Sequence, residues 1–112
     1  MQGTQLLVLV PDSKNAEPPP PGFYKNVAAL AAENTVEESH GRPAEGGGAT
    51  VVAILSRGYL ALHTYPKNFI SLAIYVRDVL SKKQTSAIKT YVRAVFATDE
   101  IEVQCMGEHD DD

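Results

Sequence analysis

Only one cysteine, Cys105, occurs in the 112 residues. That excludes an intrachain disulfide framework and any metal site built from several cysteines. Long apolar runs are also missing. The cleanest, residues 6–10 and 51–55, hold five residues each, whereas a membrane-spanning helix needs about 20. No basic flank precedes the first apolar run, which argues against a secretion signal and makes the cytoplasm the expected compartment. Positive charge is scarce too. Ten Lys and Arg against 14 Asp and Glu leave a net charge of −4, which disfavours a nucleic-acid binder that neutralises phosphates. What remains is 44% hydrophobic and 21% charged, the balance of a globular chain. The length suits one domain, 1–106, followed by an acidic tail, 107–112.

Periodicity sets the expected order of elements. Residues 4–10 are aliphatic and end at Pro11, which reads as a buried strand. Residues 11–22 contain four consecutive prolines, Pro18 to Pro21, and read as a loop with polyproline character. Phe23, Val27, Leu30 and Ala31 fall at helical spacing and predict a helix over 22–33. Residues 34–40 read as an edge strand. Residues 41–48 hold four glycines and a proline, the signature of a flexible connection.

Three strands follow, over 49–56, 59–65 and 69–76, joined by turns at Arg57-Gly58 and Pro66-Lys67-Asn68. Alternation puts Leu60 and Leu62 on one face and Tyr59, Ala61 and His63 on the other. A second helix over 81–97 carries the apolar stripe Ile88, Tyr91, Val92, Val95 and Phe96. A last strand covers 101–106. Helices separated by a run of hairpin-linked strands indicate an α+β two-layer sandwich, an antiparallel sheet with two helices on one face. The opposite face then needs a cover, and a partner chain is the natural one.

The chemistry-bearing residues are sparse. His40, His63 and His109 show no metal-ligand spacing. Gly46-Gly47-Gly48 lacks the lysine and hydroxyl of a phosphate loop. Cys105 lies mid-strand, where a small buried hydrophobe is the usual role. The acidic tail around His109 reads as solvated. His63, beside a turn, is by spacing alone a structural or surface histidine.

Residues 58–67, GYLALHTYPK, resemble the signature of the short, prokaryotic-type S-adenosylmethionine decarboxylases, approximately Glu-Ser-His-Leu-x-Ile-His-Thr-Trp-Pro-Glu. His63, Thr64 and Pro66 carry the match. The wider layout of residues 3–106 agrees, from the first strand to the last. In that family the serine attacks the preceding carbonyl, and the ester breaks down to leave a pyruvoyl group. That carbonyl forms a Schiff base with the substrate amine and acts as electron sink.

Aligned on His63, the family's Glu-Ser pair falls on Arg57-Gly58, its next histidine on Tyr59 and its proton-donating cysteine on Asp78. Its first-strand acidic residue has no counterpart in residues 7–10. Tyr65 and Lys67 stand where tryptophan and glutamate are expected. Gly58 has no hydroxyl, so no pyruvoyl cofactor is expected. The nearest serine, Ser56, lies two residues early. The resemblance thus implies His63, Ser56 and Asp78 as candidate catalytic groups and Tyr59 and Tyr65 as candidate substrate contacts. It implies S-adenosylmethionine or a polyamine as ligand.

The resemblance also extends to two kinds of non-catalytic relative. One is the dimerising amino-terminal domain of animal spermine synthases, whose strand–turn–strand residues 65–72 resemble. The other is the inactive decarboxylase paralogue that activates its partner in a heterodimer. The favoured expectation is a non-catalytic dimerisation or regulatory module, as a homodimer or as a heterodimer with a related decarboxylase. The alternatives are an active enzyme working in a shifted register or without a pyruvoyl group, and an unrelated α+β interaction domain.

Overall fold

The computed structural model describes residues 3–13, 19–20, 22–43, 46–98, 100–107 and 109–110. Much of the proline-rich loop therefore lies outside the described residues, as do Ala44 and Glu45 of the glycine-rich connection and Glu108, Asp111 and Asp112 of the tail.

Seven-residue strand β1 (Thr4–Val10) buries alternate side chains, Leu6, Val8 and Val10, because period-2 alternation sends them to one side. Helix α1 (Phe23–Leu30) follows, then β2 (Val36–Pro43), β3 (Ala49–Leu55), β4 (Gly58–Tyr65) and β5 (Phe69–Val76). A short 3₁₀ turn, Pro66–Asn68, joins the last two. Two residues, β6 (Leu80–Ser81), lead into α2 (Lys82–Phe96), and β7 (Glu102–Gly107) closes the sheet. The sheet order is β2-β3-β4-β5-β1-β7, with every pair antiparallel.

This is the expected α+β sandwich, a six-stranded antiparallel sheet with two helices. Ile88, Val92 and Phe96 of α2 meet Phe23, Val27 and Ala28 of α1 and the aliphatic rows of β1, β4 and β5 in one core. Phe23 is fully buried at its centre. Its ring stacks on Tyr91 at 5.8 Å and meets Phe96 edge-on at 5.7 Å. Helix α2 starts on a capping box: Ser81 Oγ accepts from the Gln84 N–H, and Gln84 Oε1 accepts from the Ser81 N–H.

Three details differ from expectation. Helix α1 stops at Leu30, because Ala32 and Glu33 take positive φ values of 60° and 56° and reverse the chain. Strand β2 runs on through Gly41, Arg42 and Pro43, since β3 offers ladder partners as far as Ala49. Proline is tolerated there because β2 is an edge. In the tail, His109–Asp110 form a two-residue strand, β8, parallel to β6, where a solvated segment was expected. Among the described residues no helix is long and apolar enough to cross a membrane.

Candidate functional site

The strand ladders leave one broad sheet face turned away from the helices. Side chains alternate, so β4 sends Leu60 and Leu62 into the core and Tyr59, Ala61, His63 and Tyr65 to the open side. Their cross-strand neighbours are Thr50, Val52 and Ile54 on β3, and Phe69, Ser71, Ala73 and Tyr75 on β5. Tyr59 and Tyr75 lie opposite one another with ring centroids 5.7 Å apart. Tyr65 packs edge-on against Phe69 at 5.5 Å and lies 6.3 Å from the His63 ring. Ile54, Tyr59 and Tyr65 are between 42% and 47% exposed. Aromatic side chains combine large apolar area with a polar tip, so this face can bind flat or apolar partners.

His63 is held on that face near the Tyr65 end of β4. Its Nδ1 lies 3.0 Å from Thr50 Oγ1 on the neighbouring strand. The next residue, Thr64, accepts the Ala49 N–H at 2.9 Å through its hydroxyl. The imidazole is thus oriented by a neutral hydroxyl, with Ser71 opposite it on β5. A hydroxyl–imidazole pair of this kind can relay a proton or hydrogen-bond a polar ligand.

Ser56 and Asp78 lie elsewhere, at the far end of β4. His63 is five positions along from Gly58, a distance of about 17 Å on a strand. At that end the turn is tied down by Asn34, which is 2% exposed. Asn34 Oδ1 accepts the Arg57 N–H at 2.8 Å and the Ser56 hydroxyl at 3.2 Å. Its Nδ2 donates to the Ala31 carbonyl at 2.6 Å and to Asp78 Oδ2 at 3.2 Å. Arg57 Nε donates to both Asp78 carboxylate oxygens, at 3.0 and 3.1 Å, and its other arm reaches the Ala32 carbonyl. Ser56 Oγ also accepts the Thr35 N–H at 3.1 Å. Ser56 and Asp78 are therefore brought together through Asn34, and neither is brought to His63. Tyr59 and Tyr65 share the open face with His63.

Position 58 is closed to any side chain. A Cβ there would run into the Tyr75 carbonyl oxygen and come within 2.8 Å of the Val76 Cα. Gly58 faces Val76 across the ladder, on the core side, with Leu60 and Leu62.

Cys105 corrects an expectation. It is exposed rather than buried, because β7 is the outer edge of the sheet and flanks a strand on one side only. Partial desolvation still pushes its thiol pKa up, which lowers the thiolate fraction a nucleophile needs. Among the described residues no three His, Cys, Asp or Glu side chains converge as a metal site would require.

The turn expected at Arg57-Gly58 falls one residue earlier, at Ser56-Arg57, with Gly58 already paired in β4, and sequence reasoning missed Asn34 as its anchor. No local signal marks it. Its partners come from three separate segments, at Ala31, Ser56-Arg57 and Asp78, brought together only once the chain is folded. Thr50 was missed for the same reason, since its role depends on the β3–β4 register.

No family model matches the chain, and no curated protein matches it. Among solved structures, the chain is similar to the adenosylmethionine decarboxylase from Aquifex aeolicus VF5. The TM-score is 0.72 at 16% sequence identity, over 99% of this chain and 93% of that one. The chain therefore has an S-adenosylmethionine decarboxylase-like fold.

Proposed function

We propose that this decarboxylase-like fold has given up self-processing and serves as a dimerisation or regulatory module linked to S-adenosylmethionine or polyamine metabolism. The carrying observation is position 58. Pyruvoyl formation needs a hydroxyl there, and the backbone of β5 leaves no room for a side chain of any kind. Ser56 does not substitute readily, because its hydroxyl already donates to Asn34 and accepts from Thr35. Asp78 is likewise engaged by Arg57. On this reading the protein acts in the cytoplasm without a pyruvoyl cofactor.

The partner in this reading is a second copy, seated on the open face. Six strands at about 4.8 Å spacing and roughly 23 Å length present on the order of 650 Å². That approaches the roughly 800 Å² per partner of a standard interface. The exposed aromatic and aliphatic side chains supply the apolar centre that such interfaces favour.

Intact mass under denaturing conditions tests the loss of processing. A single species at 12.1 kDa is expected. Two fragments divided at Ser56 would overturn the proposal. One observation favours a second reading, catalysis without a pyruvoyl group: the Thr50–His63 pair stands on an accessible face. That reading requires S-adenosylmethionine to be consumed by concentrated protein. Unchanged substrate would dismiss it.

A further inference from the structure

We infer a separate ligand site at the β2 margin of the open face, shaped for a small aliphatic carboxylate. It goes beyond the pairing reading and occupies the β2 edge of the same face, through Glu38, His40 and Arg42, whereas the pairing reading is tested at Ile54 and Tyr59. On β2, alternate positions 38, 40 and 42 project to the open side. His40 lies opposite Val52, and Arg42 lies opposite Thr50. These four residues and Gly41 line a cavity of about 280 Å³. That volume lies near the lower end of small-molecule pockets, roughly 300 Å³.

The charges are placed for a monoanion. Glu38 Oε1 is 2.7 Å from His40 Nε2, so the carboxylate is engaged by the imidazole and fixes the ring. Arg42 makes no ion pair among the described residues, and it is one of the residues that line the cavity. The rest of the molecule is acidic, with a net charge of −4, so this is not one patch of a generally basic surface. A guanidinium fork matches a carboxylate bidentately. A phosphate dianion would suffer more from the Glu38 charge than a carboxylate does. Val52 and the Thr50 methyl group offer apolar contact for a short alkyl body.

Thr50 also couples the cavity to β4, because its hydroxyl lies 3.0 Å from His63 Nδ1. Filling the cavity should therefore be felt at His63 as well as at the lining residues.

The test is an NMR titration of the full chain with butyrate, inorganic phosphate and butylammonium as separate probes. Butyrate is expected to give saturable shifts at Gly41, Thr50, Val52 and the His63 ring. Phosphate should bind more weakly, and butylammonium should leave these signals in place. Arg42→Gln should weaken butyrate binding about tenfold, the loss of one charge-assisted fork. Arg42→Lys, which keeps the charge without the fork, should fall between the two. Sedimentation of each variant keeps this result separate from the pairing reading. The inference is overturned if butyrate does not saturate, or if Arg42→Gln binds it as well as the native chain. It is overturned equally if phosphate binds more tightly, or if butylammonium gives the same shifts.

Discussion

The two faces of one sheet are made from the same strands yet carry different chemistry. Toward the helices, Leu6, Val8, Leu60, Leu62, Leu72 and Ile74 are all at most 2% exposed. Toward the open side, the intervening residues of β4 and β5 are tyrosines, alanines, a histidine, a serine and a phenylalanine. A strand with one solvated face usually alternates apolar residues inward with polar residues outward. Here the outward residues of β4 and β5 are aromatic and small rather than charged. The helix-facing side makes the fold, and the open side is what the fold is left to work with.

That contrast can be broken most strongly at the core. Phe23→Ala should cost about 3–5 kcal/mol of stability, as large aromatic truncations do. Urea unfolding would measure it, and a loss below about 1 kcal/mol would contradict the packing described. Next comes the anchor at the end of β4. Asn34→Ala leaves the Arg57 N–H without its acceptor and removes a donor from Asp78. The expected loss is about 1–3 kcal/mol, read from the same denaturation curves, with the His63 environment unchanged by NMR.

On the open face the outcome should invert. Replacing Ile54 and Tyr59 together with serine should change fold stability by no more than about 0.5 kcal/mol per site. It should nevertheless abolish self-association in sedimentation experiments. The smallest effect concerns Tyr24, whose hydroxyl pKa is raised above 10.0 by burial. The folded state then keeps a proton that the unfolded state releases. Stability should hold below pH 10 and fall as pH rises beyond it. Tyr24→Phe should remove that part of the alkaline decline in a pH series of thermal melts.

Much of the helix-facing half was legible in the sequence. Period-2 runs in β1, β4 and β5 and the 3.6-residue stripe of α2 each name their buried side without tertiary information. The strand alternation also grouped Tyr59, Ala61 and His63. Their cross-strand partners were not legible, because register decides whether His63 meets Thr50. Turn chemistry misled at Gly41-Arg42-Pro43, where pairing with β3 overrode the local preference for a loop. Cys105 misled because nothing in the local pattern shows that its strand closes the sheet as an edge, where side chains have fewer neighbours. Asn34, between a helix end and an edge strand, gave no periodic signal at all. Its importance lies in hydrogen bonds that reach residues 22 to 44 positions away.

The central claim is that the open face is an association surface of a protein that no longer processes itself. Sedimentation equilibrium on the unprocessed chain, across a wide concentration range, tests it most directly. The account predicts a species of twice the 12.1 kDa chain mass that dissociates when Ile54 and Tyr59 are both replaced by serine. A native chain that stays monomeric throughout, or a dimer indifferent to those substitutions, would contradict it.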